Sequence, residues 1–212
     1  MDAEGQVFSR FDITPRQHTR FLPMMMDAVL AQSGLSKGEI SHVAYASGPG
    51  AFAGVRIAAA SAQGLSIGLG IPLIGISTLA VLAQHACDRH ACDRVQVALD
   101  ARMGEAYTAL YQRDAETSLV RLFGEEHLIR LQELFPLADM LNVGSGFKAR
   151  GELGLTGNSE DANFDESLLP HASALVKLAR YRVLQGAVKT ADHAEINYIR
   201  NHVADKPASR SL

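Results

Sequence analysis

In the first 90 positions, segments with the hydrophobic spacing of strands are followed by segments with the spacing of helices. Alternation at every second residue predicts strands, and apolar residues three or four apart predict helices. The predicted elements are a strand at 6–14 ("QVFSRFDIT"), a helix from Arg16 to Ser33, a strand from Ile40 to Ser47, a helix from Val55 to Leu69, a strand at 72–77 ("PLIGIS") and a helix at 78–88. This order indicates an α/β fold with a parallel or mixed sheet.

Residues typical of helix ends mark the boundaries of these helices. Thr14 followed by Pro15 is typical of an N-cap and a first helical residue, so the first helix is expected to begin there. Gly34 is expected to end that helix, and Pro23 is expected to bend it. Ser77 is the expected N-cap of the third helix.

The pattern changes near Arg94. Strands at 94–100 and 105–113 flank the short turn "ARMG", which predicts a β-hairpin. Further predicted elements are a strand entering a glycine turn at 140–147, a polar loop at 151–168, a helix at 171–186 and a short strand at 196–200 ("INYIR"). We therefore predict an N-terminal lobe at 1–94, a C-terminal lobe at 95–188, and a C-terminal strand with a frayed tail at 189–212.

Composition narrows the class of protein. The 212 residues carry a net charge of -3 and are 47% hydrophobic, which is typical of a soluble globular protein without the basic excess of a nucleic-acid-binding chain. Two cysteines cannot build a disulfide framework, so a cytoplasmic location is expected. The N-terminus has no signal-peptide pattern, and glycines and Pro72 break the longest apolar run at 57–76. We therefore expect no membrane span.

The second predicted helix follows a glycine-rich turn at 47–54. Gly48, Gly50 and Gly54 resemble a nucleotide-binding loop, but their spacing is one residue too long for the dinucleotide motif, and no Lys-Ser/Thr pair follows. Pro49 also removes a backbone N–H that a phosphate would use. The alternative, which the sequence favours, is a strand-to-helix turn whose glycines permit close backbone approach.

Small residues form two rows on this second helix. At 100° per residue, Ala60, Gly64 and Gly68 share one side of the helix. The second row lies roughly 160° away by the same count and consists of Ala58, Ala62 and Ser66. A glycine inside a helix costs about 1 kcal/mol relative to alanine. We therefore expect a close neighbour on each side: the protein's own sheet, and another helix from this chain or from a partner.

The same region lacks charge. Arg56 is the only Lys, Arg, Asp or Glu between Ile40 and Cys87, although a water-exposed helix normally has a charged face. The first helix is also rich in apolar residues, and its methionines suit an adaptable contact surface. Either the two helices bury each other or they form an association surface. The residues predicted for this association surface are His18, Phe21, Leu22, Met25, Met26, Val29, Arg56, Ala60, Gly64, Ile67 and Gly68.

Other stretches carry candidate chemistry. "HACDRHACDR" (85–94) is a tandem copy in which the two cysteines are five residues apart, so they do not share a helix face, and a polar helix end is favoured over a metal site. The turn at 100–107 brings carboxylates together. They could serve acid–base chemistry or form a local ion pair, and the sequence leaves both interpretations open. No H-E-x-x-H pattern occurs, and no catalytic set is predicted. The remaining candidates for nucleotide or interlobe binding are Gly48, Gly50, Gly54, Asp100, Arg102, Glu105, Gly144 and Gly146.

A set of motifs resembles the bacterial TsaB (YeaZ) family in order and spacing, over nearly the whole chain. They are "TPRQHTRFLPMM", "SGPGAFAGVRI", "AQGLSIGLGIPLIGISTL", "ALDARMGEAY", "VGSGF", "LLPHASALVKLA" and "INYIRNHVA". The resemblance implies the two-lobed actin-like, sugar-kinase/Hsp70-type fold. It also implies a non-catalytic subunit of the complex that makes N6-threonylcarbamoyladenosine at position 37 of tRNA.

The resemblance further implies partners. TsaD, related in fold, is expected to hold the metal, to transfer the threonylcarbamoyl group and to bind this chain through its N-lobe helices. The ATPase TsaE is expected to dock on that pair, and TsaC to make the adenylate. Alone, the chain is expected to form a homodimer through the same surface and to reach tRNA only through the complex. No cofactor is expected here, because ATP and metal belong to the partner subunits.

The start of the sequence departs from the family pattern. Family members begin with a hairpin of the type "ILAIDTSTEACSVAL", so the N-lobe is expected to lack its first β-hairpin, on the order of 20 residues or roughly two strands. Either the start is misannotated or the protein is truncated. In the second case, the sheet would have an open edge.

Two other functions stay open from the sequence. One is an actin-like nucleotide-binding phosphotransferase that uses Asp100 and the turn at 143–146. The other is a glycoprotease-type peptidase, which would need a bound metal or a reactive nucleophile.

Overall fold

A computed structural model describes residues 1–13, 17–155, 162–188, 190 and 194–199. Within these residues the helices are α1 (His18–Ser33), α2 (Phe52–Leu69), α3 (Thr78–His90), α4 (Ser145–Glu152) and α5 (Ala172–Leu184). The strands are β1 (Val43–Ala46), β2 (Leu73–Ile76), β3 (Arg94–Arg102), β4 (Glu105–Arg113), β5 (Val120–Arg130), β6 (Leu141–Val143) and β7 (Asn163–Asp165). Short 3₁₀ turns occur at Lys37–Glu39 and Leu131–Glu133.

The first sheet consists of β1 and β2, joined by α2. The two strands are parallel, with Val43 opposite Leu73, and α2 provides the crossover that a parallel pair requires. Gly70 ends α2 in a left-handed conformation with φ of 66°, which glycine adopts without steric cost. This β1–α2–β2 unit positions one face of α2 against the sheet.

The second sheet has five strands in the order β5-β4-β3-β6-β7. β3 and β4 form the predicted antiparallel hairpin, with Val95 opposite Tyr111. β6 then pairs in parallel with β3, with Val95 also opposite Leu141. The central strand β3 is buried from Val95 to Ala98, as expected for a strand that is covered on both faces.

Helix α3 supplies six of the 18 buried residues in the main core cluster. Ser77 caps it as predicted, because its Oγ accepts a hydrogen bond from Leu79 N at 3.2 Å. Its apolar residues pack with β2, β3, β4 and α5 in one cluster, so the core continues across the predicted lobe boundary near Arg94. The assignment of residues 1–94 and 95–188 to separate lobes stays a prediction.

The predicted strand at 6–14 is wrong over the residues that the structure describes. Residues 6–13 contain no strand, because no described strand runs beside them to form a hydrogen-bonded ladder. The ring of Phe11 instead stacks on His171, the N-cap residue of α5, at a centroid distance of 5.5 Å. The alternation of apolar and polar residues predicted a strand here, but it carries no information on whether a partner strand is present.

Three other boundaries differ from the sequence prediction. Helix α1 begins at His18 with Gln17 as its N-cap, while the predicted start at Thr14 and Pro15 lies outside the described residues. Helix α2 begins three residues earlier than predicted, at Phe52. The predicted loop at 151–168 contains the end of α4 and strand β7, which pairs with β6.

The C-terminal segment at 196–199 is also not a strand. Asn197 N donates to Ser47 O at 2.7 Å, and Ile196 packs on the core formed by β1 and α2. A single backbone hydrogen bond does not make a ladder, so the segment runs beside the end of β1 without extending the sheet. Residue 200 lies outside the described residues.

Candidate protein–protein interface

Helix α2 has one face buried against its own sheet. The buried residues are Ala59, Ala62 and Ser66, and the first two pack with Tyr45 and Leu73. Ser66 Oγ donates to Ile71 O at 2.5 Å, which satisfies its hydroxyl inside the fold. Two members of the second small row, Ala62 and Ser66, therefore face the protein's own sheet.

The opposite row of small residues is open to solvent. Ala60, Gly64 and Gly68 are exposed, and a Cβ added at Gly64 or Gly68 would meet no atom within 4 Å beyond its own helix. Ile67 lies on the same side with 66% of its surface exposed. No close neighbour among the described residues accounts for these helical glycines.

Helix α1 is a second helix of this region with exposed apolar area. None of its residues is buried, and Met24 is 60% exposed. It contacts α2. The simpler interpretation of the sequence, that the two helices bury each other, therefore accounts for only part of their apolar surface.

The residues of the predicted association surface all reach solvent. His18, Ala60, Gly64, Ile67 and Gly68 are exposed. The partly buried members are Phe21, Leu22, Met25, Met26, Val29 and Arg56. Sequence reasoning missed the exposed neighbours Phe52, at 60%, and Leu65, at 36%.

The single charge of α2 is held at its N-terminal end. The guanidinium carbon of Arg56 lies 3.2 Å from the centroid of the Phe52 ring and 5.3 Å from that of Tyr198. Its NH1 also donates to Phe52 O at 3.4 Å. Arg56 is the only charged residue of α2, so the rest of the helix, more than three turns long, is uncharged.

The glycine turn before α2 is filled by the chain itself. Gly48 has φ of 103°, and a Cβ there would meet Asn197 O at 2.8 Å. A Cβ at Gly50 would meet Val55 at 3.4 Å, and one at Gly54 would meet Ala51 at 4.0 Å. Of the three, Gly48 is the one whose missing side chain permits the close approach of the turn to the C-terminal segment.

The second glycine turn, between β6 and α4, is closed in the same way. Gly144 has φ of 102°, and a Cβ there would lie 2.4 Å from Ala98 O. A Cβ at Gly146 would meet the Cβ of Ala98 at 2.8 Å. The turn therefore packs directly on β3, and Ser145 Oγ accepts a hydrogen bond from Asp100 N at 3.1 Å.

The carboxylates of the β3–β4 turn form a local arrangement. Asp100 Oδ2 lies 3.1 Å from Arg102 NH1, and Asp100 Oδ1 accepts a hydrogen bond from Arg102 N at 2.8 Å. Glu105 begins β4 opposite Arg102. The Arg102 side chain is 87% exposed, so this ion pair is screened by solvent.

A cavity of about 610 Å³ lies between the two sheets, and sequence reasoning did not find it. It is lined by Tyr45, Ser47, Leu73, Ile74, Gly75, Ser77, Glu126, Arg182, Ala187, Glu195, Ile196, Asn197 and Tyr198.

The carboxylate of Glu126 joins three elements at the wall of this cavity. It accepts hydrogen bonds from Ser77 Oγ, from Tyr111 OH at 2.6 Å and from Asn197 Nδ2 at 2.8 Å. Burial and this neighbouring carboxylate raise the pKa of Tyr111 well above its ordinary value. Glu126 therefore links the N-terminus of α3, strand β4 and the C-terminal segment.

Within the described ranges, no three His, Cys, Asp or Glu side chains are grouped so that they could hold a metal ion. By length and composition α2 alone among the described helices could cross a membrane. In this structure it packs on β1 and β2.

Comparisons with known proteins agree with this architecture. The family model described as TsaD, tRNA N6-adenosine threonylcarbamoyltransferase, matches residues 12–199. A solved structure described as an uncharacterized protein with similarity to peptidase YEAZ from Pseudomonas aeruginosa superposes with a TM-score of 0.82 and 34% identity, covering 90% of this chain and 88% of that chain. The chain thus has the α/β actin-like fold of TsaD-related proteins.

Sequence relatives identify the family within this fold. A protein named tRNA threonylcarbamoyladenosine biosynthesis protein TsaB from Escherichia coli (strain K12) is 41% identical over 96% of this chain and 89% of its own length. The protein of the same name from Haemophilus influenzae is 33% identical over 92% of this chain and 85% of its own length. The chain belongs to the TsaB (YeaZ) family.

Proposed function

We propose that this protein is a non-catalytic scaffold subunit in the synthesis of N6-threonylcarbamoyladenosine at position 37 of tRNA, and that it binds and activates the transferase TsaD. The observation that carries this proposal is the outer face of α2. Ala60, Gly64 and Gly68 form an exposed, uncharged row that no described part of the chain covers. The family relationship supports the pathway, since relatives carry the name of a tRNA threonylcarbamoyladenosine biosynthesis protein.

The geometry favours helix-on-helix docking. Interaxial distances between packed helices run from about 8 to 10 Å, and small residues at the contact permit the shorter distance. Gly64 and Gly68 supply such positions on α2. Helix α1, which contacts α2 and buries none of its residues, would form the second helix on this side of a four-helix bundle.

Apolar burial would drive this association. Ile67, Phe52 and Met24 are each at least 60% exposed in the isolated chain. Each Å² of apolar surface that leaves water contributes about 25 cal/mol before the cost of association. An interface of standard size covers about 800 Å² per partner, which two helices side by side can supply.

The proposal assigns each partner a place. TsaD, as a protein of related fold, would present the matching helix pair, and TsaE would dock on the resulting heterodimer. Without TsaD, two copies of this chain would meet through the same association surface as a homodimer. ATP and metal would be bound by the partner subunits, and tRNA would be reached only through the complex.

Reconstitution tests the assignment to this pathway. Purified chain, TsaD, TsaE, threonylcarbamoyl-adenylate and substrate tRNA are combined, and each component is omitted in turn while modified tRNA is measured. Modification that requires both this chain and TsaD supports the proposal. Modification at an equal rate without this chain contradicts it, and saturable ATP binding by the isolated chain would instead favour a phosphotransferase.

A matched pair of variants tests the surface. Ile67→Asp places a charge on the association surface, and we expect at least a tenfold loss of affinity for TsaD, because burying an aliphatic side chain is worth about 1.5–3 kcal/mol. Leu184→Asp is the control, since Leu184 is 74% exposed on α5, whose main contacts are with α3, β1 and β2. Equal affinities of the two variants in calorimetry would refute the proposed surface.

A further inference from the structure

The only two cysteines of the chain meet at the C-terminal end of α3. The Sγ atoms of Cys87 and Cys92 are 3.5 Å apart. A disulfide requires about 2.05 Å between the sulfurs, so a shift of the two side chains by about 1.5 Å in total would join them. Any thiol chemistry of this protein belongs to this pair.

The backbone at Ala91 explains how residues five apart come together. On a continuous helix they would point roughly 140° apart, and the spacing alone therefore argues against contact. Helix α3 ends at His90, and Ala91 adopts a left-handed conformation with φ of 49° and ψ of 38°. This conformation is unfavourable for a residue with a Cβ. It turns the chain back so that Cys92 lies against Cys87.

The two thiols differ in access. Cys87 is fully buried in the core cluster. Cys92 is partly buried and lines an open cavity of about 590 Å³. The other residues that line this cavity are His90, Asp93, Arg94, Ala138, Asp139, Met140, Leu141, Asn163 and Phe164. A small molecule can therefore reach Cys92 first.

The two thiols also differ in acidity. The hydrogen bond to Cys92 and then burial raise the pKa of Cys87 well above its ordinary value. The hydrogen bond between the two thiols lowers the pKa of Cys92, and the nearby Arg113 acts in the same direction, against burial and Asp93. Since a nucleophilic thiol must be reachable, the more accessible Cys92 is the attacking residue.

We propose that Cys87 and Cys92 form a reversible dithiol–disulfide couple that reacts with low-molecular-weight disulfides through Cys92. This inference does not depend on the proposed scaffold function. In the first step the Cys92 thiolate attacks one sulfur of the small disulfide, forms a mixed disulfide and releases one small thiolate. In the second step the Cys87 sulfur attacks Sγ of Cys92, gives up its proton and displaces the second small thiolate. Two electrons pass from the cysteines to the small disulfide, and the two protons of the thiols go to the released thiolates.

Oxidised glutathione is the probe for this couple. The folded wild-type protein is incubated with it, and thiol titration after denaturation is combined with intact mass. We expect the free thiols to fall from two per chain to none, with a mass lower by two hydrogens and no bound glutathione. Cys87→Ser is expected to stop as a mixed disulfide at Cys92. Cys92→Ser is expected to react at least about tenfold more slowly than Cys87→Ser, because its remaining thiol is buried.

Several results would overturn the proposal. These are wild-type protein that retains glutathione, wild-type protein that forms covalent dimers, wild-type protein that keeps both thiols under conditions where Cys87→Ser reacts, and a Cys92→Ser variant that reacts as fast as Cys87→Ser. If Cys87→Ser does not fold, Cys87→Ala keeps the site apolar and serves in its place. The wild-type product decides between an internal disulfide and the other outcomes without either variant.

Discussion

The substitution Gly64→Leu separates a role in partner binding from a role in the fold. Gly64 is exposed in the middle of α2, and a Cβ there meets no atom within 4 Å beyond the helix itself. Leucine is therefore accommodated in the isolated chain. Because glycine costs a helix interior about 1 kcal/mol relative to a good helix former, we expect the free energy of unfolding to stay level or to rise by up to about 1 kcal/mol.

The effect on binding is expected to have the opposite sign. A leucine inserted between two helices in close contact overpacks the interface, and overpacking a well-packed site typically costs about 1–3 kcal/mol. At about 1.4 kcal/mol per factor of ten, this corresponds to a dissociation constant for TsaD roughly five- to a hundredfold higher. The same change should weaken the homodimer, if both assemblies use the association surface.

Calorimetry with TsaD and urea unfolding of the isolated variant measure the two effects. Gly151→Leu is the matched control, because Gly151 is also an exposed helical glycine with open space around its Cβ, but it lies on α4. Wild-type affinity in Gly64→Leu would refute the close helix contact. A large loss of stability in Gly64→Leu would show that the row serves the fold instead.

Two further predictions concern the interior. Glu126→Ala leaves the buried hydroxyl of Tyr111 without its acceptor and should lower the free energy of unfolding by about 1–3 kcal/mol; Glu126→Gln should lower it less, and equal urea midpoints for wild type and Glu126→Ala would contradict this. Burial, and then the charge of His85, lower the pKa of His171, whose Nδ1 accepts the Ser173 N–H that caps α5. The stability that neutral His171 contributes is therefore fully present above the pKa of histidine in the unfolded chain, about 6.5, and is lost as the pH falls below that value. His171→Asn should cap without titrating, so its unfolding free energy should fall less than that of wild type between pH 7 and pH 5; an equal fall would contradict this.

Local sequence signals predicted the features that depend on neighbours three or four residues away. The row of Ala60, Gly64 and Gly68 was recognisable because its members share a helix side and no charge interrupts them. The N-cap at Ser77 was recognisable because its hydroxyl binds a backbone N–H only two residues away. The start of α2 was predicted three residues too late, because the glycines around Phe52 indicated a turn although Phe52 is already helical.

Contacts between distant segments were not predictable in this way. Nothing near Glu126 in the sequence indicates that Ser77 and Asn197 bind its carboxylate. The strand predicted at 6–14 needed a neighbouring strand that alternation cannot report. The contact of Cys87 with Cys92 depends on one left-handed residue after α3, which a rule based on a continuous helix excludes.

Helix α1 has a thermodynamic consequence for any association that it enters. It is a 16-residue helix with Pro23 inside it and no buried residue, and isolated helices of about this length are only marginally stable in water. Local unfolding of α1 should therefore need much less free energy than global unfolding. Docking would fix the helix and bury its methionines together, so the heat-capacity change of binding would exceed that expected from rigid surfaces. Temperature would then regulate assembly more strongly than the contact area alone implies.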